Sequence, residues 1–166
     1  PQFEYIRKSV LAFNLPSVDL ANYEADDLIA TYVDQILKKG AKVTIVSSDK
    51  DLMQLYRKDV RIYDPMKNKF INEEDILNKF GVSADKVIDV QSLAGDSSDN
   101  IPGVPGIGVK TAAELINKYK TLEKLLEKAG EIKQNKRRET ILENKDKAKI
   151  SKKLVTLKKD VPLKDS

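Results

Sequence analysis

Apolar residues at helical spacing open the chain. Phe3, Ile6, Val10, Leu11 and Phe13 recur every three or four positions, and the segment stops before Pro16, because a residue preceding proline disfavours the helical region. A short extended piece is expected at 18–20. Asn22 is a candidate cap for a second helix, whose stripe of Leu28, Ile29, Tyr32, Val33, Ile36 and Leu37 runs unbroken until Lys38, Lys39 and Gly40 supply a cationic last turn and a glycine stop. Val43 to Val46 is a β-branched run with no polar alternation beyond Thr44, the pattern of a strand covered on both faces. Strand, helix and strand in this order predict a right-handed parallel crossover.

Further on, the pattern gives a short helix over 52–56, a strand over 60–63, and a turn at 65–68 into an extended 69–71. Asn72 and Ser83 are candidate caps for helices near 73–80 and 84–93. Beyond Gly95 only helical patterns remain, near 109–119, 122–129 and 136–155, broken at Thr121 and Gly130. The expectation is an α/β portion followed by an all-helical portion, residues 1–92 and 93–166, with a soft boundary near 93. No internal repeat or low-complexity linker is visible.

Composition sharpens this picture. At 166 residues and 40% apolar content the chain can build one ordinary domain or two small ones. The net charge of +4 hides an asymmetry: residues 1–100 hold 13 Lys/Arg against 17 Asp/Glu, and residues 101–166 hold 17 against 9. The helical part is therefore the candidate surface for a polyanion, although a solvated lysine-rich face gives the same count. With no cysteine and no histidine, disulfides, thiol nucleophiles, histidine triads and structural zinc are excluded by inventory. No apolar run approaches the ~20 residues of a membrane helix, so a soluble intracellular protein without a membrane partner is expected. Pro1 is not an initiator residue, and the chain is expected to be cut from something longer.

Seven carboxylates arrive in three bursts: Glu24, Asp26 and Asp27; Asp49 and Asp51; Asp96 and Asp99. The first group would occupy the opening turn of its helix, where negative charge also has a purely structural use. Asp49 and Asp51 stand where a parallel strand hands over to a helix, the edge at which open α/β sheets place ligands. Carboxylates gathered without basic partners repel, and hard cations such as Mg²⁺ or Mn²⁺ relieve this through oxygen-only ligation. Two such ions can drive phosphodiester hydrolysis. A calcium loop opening at Asp96 fails, because its twelfth position is Ile107 rather than a bidentate Glu.

Gly103 to Thr111 is not a Walker A loop, since Val109 separates Gly108 from Lys110, and no small residue stands where a dinucleotide fingerprint needs one. It reads as two helices joined by a glycine turn. Gly106 and Gly108 let a phosphate approach the backbone at the start of the helix opening at Val109, Lys110 and Thr111, with Lys110 adding a charge. A tight turn with an incidental lysine is the plainer alternative.

Three segments, Tyr23-Glu-Ala-Asp-Asp27, Ser48-Asp-Lys-Asp51-Leu-Met-Gln-Leu55 and Gly95-Asp-Ser-Ser-Asp-Asn-Ile-Pro-Gly-Val-Pro-Gly-Ile-Gly108-Val-Lys-Thr-Ala112, closely resemble the 5′ nuclease (5′-3′ exonuclease) domain of bacterial DNA polymerase I, within the flap endonuclease superfamily. The likeness spans nearly the whole chain, and residues 155–163 resemble the segment that closes this domain. It implies an α/β fold with a partial PIN-like parallel sheet, followed by a helix-hairpin-helix type module. It implies Mg²⁺- or Mn²⁺-dependent hydrolysis of DNA near 5′ ends, flaps and junctions in replication and repair, in the cytoplasm at the bacterial nucleoid, with a polymerase following in the parent.

By the same resemblance, Glu24 and Asp26 match ligands of a first ion, with Asp27 close by. Asp49, Asp51 and Asp99 match the group around a second, which Asp96 supports. Gly106, Gly108, Lys110 and Thr111 match the hairpin that holds duplex DNA, with a monovalent cation such as K⁺ at its carbonyls. Family members carry a further upstream portion with the first strand, two more aspartates and a basic arch, and nothing before Glu24 matches it. An incomplete first-ion site, an exposed sheet edge and little turnover by this piece alone are the expectations. The competing reading is a non-catalytic module that grips duplex backbone through Lys110 and the basic stretch 133–153, with structural acids.

Overall fold

The computed structural model describes residues 2–163; Pro1 and the last three residues, Ser166 among them, lie outside it. Helix α1 covers Gln2–Ala12 and buries none of its side chains, so Phe3, Ile6 and Leu11 face outward. Residues 15–20 form no strand, against the sequence expectation. Among the described residues they pair with no strand, and the predicted crossover from 18–20 is not made. Asn22 does not cap the next helix either. It takes a left-handed turn at φ 71°, which asparagine tolerates, and Glu24 becomes the residue before helix α2, Ala25–Lys38. Only Asp26 and Asp27 therefore sit in the first turn.

Strand β1, Val43–Val46, lies parallel to β2, Val60–Asp64, and β2 is antiparallel to β3, Lys69–Ile71. The parallel link thus joins β1 to β2 through a 3₁₀ turn at Asp51–Leu55. β1 stands at the edge of this three-stranded sheet. Helix α2 packs on it, yet only Ile45 is buried while Thr44 and Val46 are exposed, so the expected two-sided cover is absent. Asp64 ends β2 and holds the turn to β3 by accepting the Met66 and Lys67 amides at 3.0 and 3.2 Å.

Asn72 caps α3, Glu73–Phe80, in a reciprocal capping box with Asp75. The helix expected over 84–93 starts as a 3₁₀ turn at Ala84–Lys86 and becomes α4 at Val87–Ala94. Ser83 donates its hydroxyl to Asp85 instead of capping. Four helices follow: α5, Val109–Tyr119; α6, Leu122–Glu127; α7, Asn135–Glu143; α8, Lys145–Val155. A 3₁₀ turn at Ala129–Glu131 takes up the end of the predicted 122–129 helix. The predicted 136–155 helix is broken at Asn144, whose side-chain amide donates to the Thr140 carbonyl at 2.8 Å and competes with the helical ladder.

One apolar cluster runs from Ala30, Ile45 and Ile62 through Ile76 and Leu93 to Ile116, Leu125 and Ala148, so the sheet and the helical part share a core. Helix α4 is central: α5, α6 and α8 all pack on it. Lys152 of α8 pairs with Asp89 of α4 at 2.6 Å and Glu123 of α6 at 2.7 Å. After α8 the chain doubles back as a strap over α2. Lys158 N–H donates to Asp27 at 2.8 Å, and Thr31 bonds both the Lys158 carbonyl and the Val161 amide. Gln54 grips the same strap from the 3₁₀ turn, through the Val155 carbonyl at 2.9 Å and the Leu157 amide at 3.3 Å.

Candidate functional site

The end of β1 shapes the first part of the site. Asp49 N–H donates to Ser47 Oγ at 3.0 Å, and the Asp49 carboxylate accepts the Asp51 N–H at 2.9 Å, an Asx-type turn that brings both acids to the strand's carboxyl edge. Ser48, just before Asp49, donates to the buried Asp64 at 2.6 Å, tying this turn to β2. Glu24 and Asp26 approach from the N-terminal end of α2.

Asp99 comes from a loop closed by glycines. Gly95 and Gly103 both take positive φ, 71° and 58°, and Asp96 and Ile101 exchange two backbone hydrogen bonds at 2.9 and 2.8 Å. Ser151 of α8, fully buried, accepts the Gly103 N–H at 2.9 Å. The loop is thereby fixed to the helical part.

A cavity of about 430 Å³ results, lined by Glu24, Asp26, Asp49, Asp51 and Asp99, with Leu154, Val155 and Leu157 closing one side. Five carboxylates from three distant segments share one space. Asp27 and Asp96 are not on its wall. Asp27 is turned to the strap, and Asp96 is paired with the Lys50 ammonium and bonded by Ser98, from Oγ at 2.5 Å and from N–H at 3.0 Å. Among the described residues, no three acidic side chains converge tightly enough to hold one ion together.

Electrostatics follow from this crowding. Burial, then the charges of Asp49, Asp51, Glu24 and Asp27, push the Asp26 carboxyl up to about 6. Burial also raises Asp51, against a lowering hydrogen bond from Gln91. Asp96 goes the other way: burial opposes it, but the bonds from Lys50 and Ser98 together hold it below the usual range. Lys50 is correspondingly raised, first by its bond to Asp96. Uncompensated oxygen charge at the wall is what a hard divalent cation would neutralise, so these residues fit such an ion in donor type.

Two groups went unseen in the sequence. Lys50 supplies a basic partner within the acidic motif itself. Gln91, 4% exposed on α4, donates from Nε2 to Asp51 Oδ1 at 2.6 Å. Nothing in the run from Val87 to Leu93 sets it apart, since Asp89 and Ser92 are polar and buried there as well.

The hairpin is as open as expected. Ile107 is buried and its amide closes a turn on Val104 at 3.0 Å, whereas a Cβ on Gly106 or Gly108 would meet nothing within 4 Å. Gly108 precedes α5, with Lys110 exposed in the first turn and Thr111 partly buried beside it. Among Lys136, Arg137 and Arg138, Arg138 donates to the Ile132 carbonyl at 3.1 Å and Arg137 pairs with Glu114 at 3.7 Å. A second concavity, about 970 Å³, lies between α6, α8 and the strap, where six lysines between Lys145 and Lys159 outnumber Glu123, Glu127 and Asp160. It is remote in chemistry from the acids, although Leu157 borders both. No helix among the described residues is long and apolar enough to cross a membrane.

Comparison with known proteins covers the chain end to end. Residues 1–81 match the profile of the 5′-3′ exonuclease N-terminal resolvase-like domain, and residues 82–166 that of the 5′-3′ exonuclease C-terminal SAM fold. DNA polymerase I of Rhizobium leguminosarum is 57% identical over 163 residues, covering 98% of this chain and 16% of that protein. A 5′-3′ exonuclease of Buchnera aphidicola is 36% identical over 169 residues, covering 98% of this chain and 58% of that one. Among solved structures, the bacteriophage T5 flap endonuclease in a pseudo-enzyme-product complex with DNA and metal ions superposes with a TM-score of 0.81 at 21% identity, over 92% of this chain and 57% of that one. The chain thus spans less than two thirds of each of these relatives.

Proposed function

Because the chain belongs to the 5′-3′ exonuclease family over its whole length, we propose that it is part of a divalent-metal-dependent 5′-3′ exonuclease and flap endonuclease acting on DNA. The carrying observation is the shared cavity: five carboxylates with no basic residue on its wall. Glu24 and Asp26 are proposed to face one ion and Asp49, Asp51 and Asp99 a second, Mg²⁺ or Mn²⁺. When bound, such ions supply Lewis acidity and a nucleophile at neutral pH. The chain's own part is to hold the acids. The Asx-type turn fixes Asp49 and Asp51, and the Asp96–Ile101 bridge presents Asp99. Lys50 pairs directly with Asp96 and acts on Asp51 and Asp99 only through space, so among the described residues no wall carboxylate has a basic partner in contact. Asp27 and Asp96 act as supports.

DNA is the proposed partner, as a duplex with a 5′ end or flap. Gly106, Gly108, Lys110 and Thr111 are proposed to take the phosphate backbone, with K⁺ at the turn carbonyls. The lysine-rimmed groove adds positive potential on the helical side. A polymerase in the same polypeptide, as in the relatives named DNA polymerase I, and a place in the cytoplasm at the nucleoid belong to this reading.

Cleavage of a 5′-flap substrate tests it, with this chain and with a version extended upstream. Mg²⁺-dependent cutting that Asp99→Asn abolishes at unchanged DNA affinity is expected of the extended protein. Cutting that persists in chelator would refute the assignment. One observation favours a second reading for this stretch alone, a DNA-binding module without turnover: no three of its described acids converge on a point. DNA binding without cleavage by the unextended chain agrees with that.

A further inference from the structure

We propose that Gln91 is a positioning residue for Asp51, an inference that rests on the metal-site reading above and extends it beyond the acidic motifs. Gln91 sits in α4 among Val87, Val90 and Leu93, all fully buried, and is itself 4% exposed. Its Nε2 donates to Asp51 Oδ1 at 2.6 Å, while its Oε1 is buried without a hydrogen-bond partner among the described residues. A half-satisfied amide in an apolar interior costs stability that a leucine or methionine of similar volume would not. Core packing therefore does not explain the amide.

Its geometry does. One oxygen of Asp51 is committed to a donor on a helix that Lys152 already fastens through Asp89, so the carboxylate that lines the cavity is held from behind. The donor is also neutral. A lysine at 91 would pair with Asp51 as Lys50 pairs with Asp96, and would compete with a cation for the same charge. An amide orients the carboxylate and leaves its charge available.

Mn²⁺ binding followed by electron paramagnetic resonance, beside thermal unfolding of the metal-free protein, tests this on the full chain. Gln91→Leu and Gln91→Met are both made, so that one misfolded variant does not end the experiment, with Asp51→Asn as reference. We expect at least a fivefold loss of Mn²⁺ affinity in both Gln91 variants, with an unfolding temperature equal to or above that of the unaltered chain. A lowered unfolding temperature with unchanged Mn²⁺ affinity assigns Gln91 to packing and overturns the inference alone. Equal Mn²⁺ binding by Asp51→Asn, or none by the unaltered chain, removes the metal site itself and the inference with it.

Discussion

Gly95 and Gly103 interlock: a Cβ on Gly95 would stand 2.9 Å from the Gly103 nitrogen and 2.7 Å from the Ile101 carbonyl oxygen, and one on Gly103 would strike the Gly95 backbone. Both residues also take left-handed φ. Gly103→Ala should therefore cost on the order of 2–5 kcal/mol, from close approach and backbone conformation together. Gly106→Ala, with similar φ but open space, should cost about 1 kcal/mol. Denaturant unfolding compares the two; equal losses would show that the interlock contributes nothing.

Asp26 makes the metal-free protein less stable as pH rises. Its folded-state value of about 6 lies above the ordinary 3.8, so between these values the folded state keeps a proton that the unfolded state has released. Stability is fully present below about pH 4 and is lost through about pH 6. Discounted for solvent screening of a half-exposed group, the loss is on the order of 1 kcal/mol. Asp26→Asn should remove this fall, and Mg²⁺ should raise the unfolding temperature more at pH 7 than at pH 5. Scanning calorimetry across that range measures both.

Asp64 works in the opposite direction. The Ser48 hydroxyl, followed by Lys67, holds its carboxyl down to about 2 against the opposing effect of burial. A depressed value contributes stability above about pH 4 that disappears as pH falls towards 2. Asp64→Asn should flatten the acid limb of the unfolding profile, and an unchanged limb would mean that other carboxylates govern it.

The strap should loosen when its anchor is cut. Asp27→Ala removes the acceptor of the Lys158 amide and Thr31→Ala frees the Lys158 carbonyl and the Val161 amide, each costing about 1–2 kcal/mol. Limited proteolysis should then cleave near 157–160 several-fold faster. A cleavage rate equal to that of the unaltered chain would count against the strap as an ordering element.

Lys110→Ala should weaken duplex binding uniformly across sequences and flatten the plot of log affinity against log salt by about one unit. An unchanged slope takes the hairpin out of the interface.

What the sequence disclosed were features with short-range causes. The α2 stripe with its Lys38 to Gly40 ending, the β2 turn into β3, and the Asn72 cap each depend on neighbours within a few positions. The grouping of Glu24, Asp26, Asp49, Asp51 and Asp99 was legible because three motifs carried it together. Asn22 was misread as a cap, and the break at Asn144 was passed over, because asparagine serves caps, breaks and left-handed turns alike, and only tertiary context chooses among them. The partners of Asp27, Asp51 and Asp96 lie 131, 40 and 46 positions away, beyond any local pattern.

The return of residues 157–161 to α2 means that the molecule has no clean seam at position 81. Severing the chain there would leave Asp27 and Thr31 on one product and their backbone partners on the other. Neither product should hold its native shape in isolation, yet the two, mixed, should find each other and co-elute as a nicked whole.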